Sequence, residues 1–232
     1  MTVVLTASDV AISGRLMPTS LSIHAGEIVA LVGPNGGGKT SLLRSLAQVD
    51  DCEGSVSVDG DDLRSASPGR RARLTGFLPA SRDLVWPLSV RNLLRLGNSA
   101  DDGRISYILD QLELQRHAER RVDQLSTGER TKVLIGRIFA ASPKAMLLDE
   151  PFSNLDPYWV LRMWEIIREE TGKADRCAVL SVHDVALASR FDRLIALKDG
   201  STVFDGTPDK FLKSKEFLNV FRVEAKDVVT LR

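Results

Sequence analysis

Residues 33–40 read GPNGGGKT, and this glycine-rich segment constrains the fold of the chain more than any other feature. It follows an apolar run at 27–32, EIVALV, and precedes residues 40–47, TSLLRSLA, whose leucines have helical spacing. The order strand, glycine loop and helix predicts a phosphate-binding loop, because glycines let backbone N–H groups turn toward phosphate oxygens. The helix N-terminus adds partial positive charge at the same place.

The pattern G-x-x-x-x-G-K-S/T gives separate roles to the residues of this loop. Lys39 would reach the β- and γ-phosphates of a nucleotide as a point charge, and the Thr40 hydroxyl would be a ligand of Mg²⁺. The alternative is a chance glycine-rich turn, but the loop has the strand and the helix that a phosphate site requires. The predicted phosphate-binding residues are Asn35, Gly36, Gly37, Gly38, Lys39, Thr40 and Ser41.

The rest of the chain indicates an α/β fold. Three later apolar runs, at 145–148, 178–182 and 194–197, are separated by helical stretches, which predicts a buried and mostly parallel sheet. We expect one domain over residues 1–232, with an antiparallel β lobe at its N-terminus.

Local patterns predict the outer parts of this domain. Gly14 and Pro18 interrupt the weakly alternating N-terminal segment, as they would between short antiparallel strands. Residues 104–114 have the apolar spacing of an amphipathic helix. The region of about 87–141 is therefore predicted to be an inserted helical subdomain. The pair Asp199-Gly200 predicts a final hairpin.

Charge, hydropathy and cysteine content exclude several classes of function. The chain has 31 Lys plus Arg and 31 Asp plus Glu, so no net charge draws it to nucleic acid or anionic lipid. It has no run of 18 apolar residues and no signal-like start, so we expect a cytoplasmic protein whose membrane role would need a protein partner. Cys52 and Cys177 lie far apart and predict two reduced, buried thiols.

Two carboxylates and a histidine follow predicted strands. Residues 145–150 read AMLLDE, and the carboxyl end of a strand is where an open α/β sheet binds its ligands. Asp149 would hold Mg²⁺, directly or through water, and Glu150 would polarise the attacking water as a general base. A helix-terminal charge or a surface ion pair is the alternative for this pair. His183 could contact a γ-phosphate or have only a structural role before a helix that Asp184 caps.

The order of five motifs resembles the ABC transporter ATPase family. They are GPNGGGKT, LSTGE at 125–129, LLDEP at 147–151, SNLD at 153–156, and His183. The resemblance implies a P-loop NTPase core that binds ATP and Mg²⁺, with two copies facing head to tail around two ATP molecules. Ser126 and Gly128 of one copy would then contact the γ-phosphate held by Lys39 of the other.

The same motifs also have ordinary structural interpretations. Ser126 and Glu129 have the spacing of a helix capping box, and Asp156 before Pro157 is a typical helix N-cap with a first-turn proline. Both roles can coexist with the functional ones. By the resemblance, Asp156 would communicate between the two facing sites.

Three departures from the family pattern affect the expected function. Ala80 stands where the family usually has a glutamine that contacts Mg²⁺ and water and links the site to a membrane subunit. No aromatic residue occurs in 1–27, where the family commonly stacks adenine. Thr127 and Glu129 replace the usual glycine and glutamine of the signature, while Ser126 and Gly128 are kept.

The segments 9–36 and 221–224 look most like the ATPases of bacterial importers for cobalamin, haem and iron-siderophores. This implies a homodimer on the inner face of the cell membrane that binds integral membrane permease subunits and, indirectly, a periplasmic or surface substrate-binding protein. A permease helix would dock beside residues 80–91, near Trp86, Leu88, Arg82 and Arg91. The alternative for Trp86 is that it fills the core of the helical subdomain. Trp159 and Trp164 are expected in the core.

The alternative is a non-transport ABC ATPase in metallocluster assembly or in nucleic-acid or ribosome work. The balanced charge and the lack of a basic appended domain argue against nucleic acid.

Overall fold

The computed structural model describes residues 2–83, 87–96, 101–173 and 175–222. Trp86 and the end of the 221–224 segment lie outside these residues. The strands are β1 (Val3–Ile12), β2 (Leu16–His24), β3 (Ile28–Val32), β4 (Glu53–Val58), β5 (Asp61–Asp62), β6 (Thr75–Leu78), β7 (Ala145–Leu148), β8 (Cys177–Ser181), β9 (Arg193–Lys198) and β10 (Ser201–Gly206). The α-helices are α1 (Lys39–Leu46), α2 (Pro68–Leu74), α3 (Val90–Arg95), α4 (Asp102–Gln111), α5 (Thr127–Ala141), α6 (Pro157–Gly172), α7 (Val185–Ala188), α8 (Pro208–Leu212) and α9 (Lys215–Phe221).

The central sheet has six strands in the order β10-β9-β3-β8-β7-β6. Its neighbouring strands are parallel except for the final hairpin of β9 and β10, which turns at the predicted Asp199-Gly200 pair. Every residue of β3, β7 and β8 is buried, as continuous apolar runs require when helices or a second sheet cover both faces of a sheet. The predicted α/β fold with a mostly parallel sheet is confirmed.

A separate four-stranded sheet forms the antiparallel N-terminal lobe, in the order β2-β1-β4-β5. Gly14 lies in the turn between β1 and β2, as predicted. Pro18, however, lies inside β2 and does not separate two strands. Strand β2 is at the edge of this sheet, where a residue without an N–H group need not break a ladder of hydrogen bonds.

The described residues between β6 and β7 form helices rather than strands, apart from one isolated bridge between Ser89 and Arg121. Helix α4 begins at Asp102, because the Asp101 carboxylate accepts a hydrogen bond from the Arg104 backbone N–H at 2.7 Å. Its predicted apolar face is buried against α3 and α5. The single-domain extent of 1–232 and the insertion limits of about 87–141 stay predictions.

The longest described helix, α6, has 16 residues. Within 2–83, 87–96, 101–173 and 175–222, no helix has both the length and the apolar character needed to cross a bilayer.

The two cysteines are free thiols in different environments. Cys177 is fully buried in β8, and burial raises the pKa of its thiol to about 12. Cys52 is only partly buried, which corrects the expectation of two buried thiols. Its exposure follows from its position in the loop before β4, outside the interior of the sheet.

We expect a disulfide reagent such as Ellman's reagent to modify about one thiol per native chain at pH 8, because the thiolate is the nucleophile and Cys177 stays protonated and covered. Both thiols should react after denaturation in guanidinium chloride. The variant Cys52→Ser should leave no rapidly reacting thiol in the native chain. Equal reaction rates of two thiols in the native protein would contradict the burial of Cys177.

Candidate functional site

A cavity of about 600 Å³ opens at the carboxyl end of β3, where the strand leads into the glycine loop and α1. It brings Glu150 and His183 together with the predicted loop. All the predicted phosphate-binding residues line it, namely Asn35, Gly36, Gly37, Gly38, Lys39, Thr40 and Ser41. The residues predicted from the sequence therefore lie together at one place in the fold.

The loop has a conformation that other residues would not adopt easily. Gly33 has φ 145° and Gly38 has φ 107°, both in the region that disfavours side chains. A Cβ atom at Gly33 would also overlap the backbone carbonyl oxygen of Leu197, and one at Gly38 would lie 3.1 Å from the Cα atom of Gly200. The glycines thus allow both the tight turn and the close approach of β9 and the turn that follows it.

The turn between β9 and β10 packs directly on this loop, which the sequence did not reveal. The backbone N–H of Gly200 donates to the carbonyl of Gly37 at 3.1 Å, and the N–H of Met17 donates to the carbonyl of Gly200 at 2.8 Å. The additional residues that line the cavity are Gly14, Arg15, Leu16, Met17, Asp199 and Gly200. Because β9 runs parallel to β3, the turn after β9 necessarily lies at the same edge of the sheet, and that parallel order was the available signal.

Lys39 is the cation that the phosphate loop itself contributes to the cavity, which Arg15 also lines, and Lys39 is only 6% exposed. Its Nζ atom donates to the carbonyl oxygens of Gly33 at 2.8 Å and Pro34 at 3.0 Å. Burial lowers the pKa of Lys39, and the carboxylates of Glu150 and Asp149 oppose part of this effect. A phosphate group in the cavity would add the anionic partner that favours the charged ammonium.

Asp149 is buried beside the loop and is held by two hydroxyl groups. Thr40 Oγ1 donates to Asp149 Oδ2 at 2.8 Å, and Ser181 Oγ donates to Asp149 Oδ1 at 2.5 Å. Ser181 was missed by sequence reasoning, although it is the polar residue in the apolar run 178–182 and immediately precedes Val182 and His183.

The oxygen donors beside the loop suit Mg²⁺ better than they suit a metal ion that is bound only by protein side chains. Mg²⁺ commonly takes one or two protein oxygens and completes its shell with water and phosphate oxygens. The Thr40 hydroxyl and the Asp149 carboxylate are such a pair. The described residues contain no group of three or more His, Cys, Asp or Glu side chains that could hold a metal ion by themselves.

Glu150 and His183 form a direct contact at the mouth of the cavity. Glu150 Oε1 and His183 Nε2 are 2.6 Å apart, and both side chains are partly exposed. The backbone of Glu150 has φ 50°, an unusual left-handed conformation for a residue with a side chain. Its N–H donates to Ser181 Oγ at 2.8 Å. Such conformations persist where surrounding contacts hold them, often at functional sites.

Arg82 lies behind these carboxylates and not on an open surface. The side chain is 7% exposed, and its guanidinium donates to the backbone carbonyl oxygens of Pro79, Asp149 and Glu150. This corrects the prediction that Arg82 lies on the permease-docking surface. The cause is a contact between residues 68 positions apart in the chain, which no local pattern could indicate.

Two other predicted docking residues, Leu88 and Arg91, also make contacts within the chain. Leu88 packs against the main hydrophobic core, and Arg91 Nε donates to Glu119 Oε1 at 2.7 Å. Trp164 is buried in the core as expected. Trp159 is partly buried, with Lys132 Nζ 3.6 Å from the centre of its ring.

Ser126 and Gly128 begin helix α5 and are not among the described residues that line the cavity. The capping box is present: the Ser126 N–H donates to Glu129 Oε2 at 2.9 Å, and the Glu129 N–H donates to Ser126 Oγ at 3.3 Å. Gly128 lies close to the SNLD turn, since a Cβ atom there would be 2.9 Å from the carbonyl oxygen of Asn154.

Asp156 caps helix α6, as its position before Pro157 predicts. Its Oδ1 atom accepts a hydrogen bond from the Trp159 N–H at 2.9 Å, and Pro157 occupies the first turn. The structural interpretation of both motifs is therefore confirmed, and their role in a second copy stays a proposal.

Comparison with known proteins places this geometry in a family. The sequence matches the ABC transporter family over residues 16–153. It is 30% identical to a petrobactin import ATP-binding protein of Bacillus anthracis, with 91% of this chain and 84% of the relative covered. It is 33% identical to a hemin import ATP-binding protein of Bordetella avium, with 90% and 87% covered.

Two further matches extend the comparison. A phosphonates import ATP-binding protein of Wolinella succinogenes is 34% identical, with 84% of this chain and 78% of the relative covered. The fold resembles a dimeric ATP-binding cassette in a post-hydrolysis state with ADP and Pi, with a TM-score of 0.77, 24% identity, and coverage of 88% of this chain and 98% of that one. The family match covers more than half of the chain, and the phosphate loop, Asp149 and Glu150 lie within it, so the chain belongs to the ABC transporter family.

Proposed function

We propose that this chain is the ATP-binding and ATP-hydrolysing subunit of an ABC importer. Closure of a homodimer around ATP would power the uptake of a metal chelate such as an iron-siderophore, haem or cobalamin. The observation that carries the proposal is the single cavity that joins the phosphate loop to Glu150 and His183.

The loop and α1 would bind the phosphates of ATP. Backbone N–H groups of the glycines, the N-terminus of α1 and the Lys39 ammonium would all face the same anion. Thr40 and Asp149 would hold Mg²⁺, which supplies charge neutralisation at the phosphates. Ser181 keeps the Asp149 carboxylate oriented toward Thr40, since each Asp149 oxygen accepts from one of these hydroxyls.

Glu150 would act as the general base for the attacking water. The water oxygen forms a bond to the γ-phosphorus, the bond from that phosphorus to the bridging oxygen of ADP breaks, and a water proton moves to the Glu150 carboxylate. His183, 2.6 Å from that carboxylate, would orient it and lie near the γ-phosphate. Glu150 has a left-handed backbone with φ 50° and lines the cavity.

A second copy of the chain would complete each site. Ser126 is exposed at the start of α5 and lies outside its own chain's cavity. Its hydroxyl donates to Glu129 Oε2 at 2.8 Å within the chain, so it would exchange this hydrogen bond for one to the γ-phosphate held by another copy, beside the Gly128 N–H. The dimeric state of the structural neighbour supports the same arrangement. Integral membrane permease subunits and, through them, a periplasmic or surface substrate-binding protein would be the other partners, at the inner face of the membrane.

The three relatives are named for petrobactin, hemin and phosphonates at similar identity to this chain. The solute is therefore better assigned to the permease and the substrate-binding protein than to this subunit. A metal chelate is the proposed class because two of the three matches agree with the resemblance of the segment 9–36.

Purification of the tagged chain from detergent-extracted membranes of its native cell tests the importer assignment. We expect an integral membrane protein with several spans to co-purify, and MgATP hydrolysis by that complex to increase in the presence of the cognate binding protein and chelate. A tagged unrelated cytoplasmic protein is the control. Recovery of only soluble metallocluster-assembly proteins, or of RNA, would favour the non-transport alternative.

A further inference from the structure

The Arg82 guanidinium joins two segments of backbone at the rear of the hydrolytic site. One Nη atom donates to both carbonyl oxygens at the end of β7, 3.0 Å from Asp149 O and 2.8 Å from Glu150 O. The other Nη atom donates to the carbonyl of Pro79, in the loop that follows β6. A planar guanidinium can make these bonds at once because its N–H groups have a fixed fork geometry.

Stability alone does not account for a cation at this position. The Nε atom of Arg82 is buried and has no hydrogen-bond partner among the residues that the structure describes, so these residues leave the desolvated guanidinium not fully satisfied. Burial lowers the pKa of Arg82, and the Asp149 and Glu150 carboxylates oppose that effect. A well-packed apolar side chain would avoid this cost.

Two of the three carbonyl oxygens belong to the consecutive residues Asp149 and Glu150, where the backbone turns sharply, and the third belongs to Pro79 after the neighbouring strand β6. With φ 50°, Glu150 leaves the strand in a conformation that needs support from its surroundings. Its carbonyl also accepts a hydrogen bond from Ser153 Oγ at 2.6 Å. Arg82 provides the positive charge that offsets the repulsion among the clustered carbonyl dipoles.

We propose that Arg82 is a positioning residue that ties the loop of residues 79–83 to the turn carrying Glu150, and thereby sets the orientation of the water-activating carboxylate. The proposal rests on the role of Glu150 in the proposed function. It does not make Arg82 a catalytic residue, since Arg82 contacts backbone carbonyls and is not among the described residues lining the cavity.

The hydrogen bonds of Arg82 matter more because the loop has alanine at position 80. The methyl side chain of Ala80 is exposed and has no polar atom with which to contact the site. Arg82, two residues later, makes the side-chain hydrogen bonds from this loop to the Asp149–Glu150 backbone. Displacement of the loop by a bound partner would therefore reach Glu150 through the guanidinium.

The test compares Arg82→Met with Arg82→Lys in the full chain, by steady-state MgATP hydrolysis and by MgATP titration. We expect Arg82→Met to lower kcat about tenfold to a hundredfold, as loss of charge-assisted hydrogen bonds would. We expect the Kd for MgATP to change by less than about threefold, because the phosphate contacts are intact. Arg82→Lys should recover part of kcat, since an ammonium can replace some donors but not the fork.

The matched control is Arg70→Met. Arg70 is a partly exposed arginine whose Nε donates to Asp61 at 2.5 Å, so its loss removes a surface ion pair away from the site. We expect its kcat to stay within about twofold of the unmodified chain. A kcat for Arg82→Met equal to that of this control would overturn the proposal.

A double variant distinguishes positioning from general destabilisation. If Arg82 acts through Glu150, Arg82→Met should cause less than about a twofold further loss in the Glu150→Gln background. A full additional loss would show that Arg82 acts independently of Glu150 and would overturn the proposal. Should Arg82→Met fail to fold, Arg82→Lys decides: a kcat loss of about threefold to tenfold with unchanged Kd supports the proposal, and unmodified kcat refutes it.

The same experiments separate this inference from the proposed function. Unmodified hydrolysis by Glu150→Gln would remove the general-base role itself, whatever Arg82 does. Slow hydrolysis by Glu150→Gln together with full hydrolysis by Arg82→Met would leave the proposed function standing and reject only the positioning role.

Discussion

Lys39→Ala is expected to weaken MgATP binding by about 30-fold to several thousand-fold, which corresponds to about 2–5 kcal/mol for the loss of one partner of a buried charge pair. The Lys39 ammonium is almost fully buried, and its Nζ atom lies between the carbonyls of Gly33 and Pro34 at the wall of the cavity. Without it, the phosphates would meet backbone N–H groups but no side-chain cation of the loop.

Isothermal titration calorimetry with MgATP measures this loss directly. Lys210→Ala is the control, because Lys210 is an exposed lysine on α8 outside the cavity lining. Thermal unfolding of both variants by circular dichroism separates lost affinity from lost structure. A Lys39→Ala protein that is folded and binds MgATP within about threefold of the unmodified chain would contradict the phosphate site.

Glu150→Gln is expected to slow hydrolysis by about 10²- to 10⁴-fold while keeping ATP affinity, as removal of a general base does. The amide has the size of the carboxylate and can still contact His183, so the left-handed turn and the Ser181 contact should persist. Because ATP would then bind but not turn over, the ATP-bound dimer should accumulate.

Size-exclusion chromatography with light scattering tests this accumulation. With saturating MgATP, Glu150→Gln should have the mass of two chains, and with MgADP the mass of one. Adding Ser126→Arg should prevent the dimer, since Ser126 would face the γ-phosphate of the other copy. A Glu150→Gln chain that stays monomeric in MgATP would refute the sandwich mechanism.

Ser214→Arg in the Glu150→Gln background controls for the loss of a helix cap. Ser214 caps α9 as Ser126 caps α5, by accepting a hydrogen bond from a backbone N–H. This variant loses a cap worth about 1 kcal/mol but should still dimerise. If both double variants fail to dimerise, the loss of a helix cap, and not the loss of the contact between Ser126 and the γ-phosphate of the other copy, would explain the missing dimer.

The parts of the fold that sequence predicts well depend on short-range chemistry. The apolar run of β7 matches its predicted limits of 145–148, because every position of a central strand in a covered sheet must be buried. The conformation of the glycine loop also depends on its own residues, since positive φ angles at Gly33 and Gly38 require glycine whatever surrounds them. The caps formed by Ser126 and Asp156 involve residues only three positions away.

The errors occur where contacts are distant in the chain. Pro18 was expected to end a strand, but the tertiary arrangement places β2 at a sheet edge that tolerates it. Arg82 was predicted on a docking surface from its place in residues 80–91, beside Trp86 and Leu88. Three backbone carbonyls gathered by the fold made a buried position possible.

The sequence by itself determined the nucleotide loop, the pair Asp149 and Glu150, and the parallel sheet, because glycine geometry and apolar periodicity act within a few residues. The tertiary structure alone decided that the turn at Gly200 packs on the loop, that Ser181 donates to Asp149, and that Arg82 donates to the Glu150 carbonyl. These contacts join residues 32 to 163 positions apart, and their geometry depends on how the strands are ordered in the sheet. Strand order is a property of the whole packed core, which local periodicity does not specify.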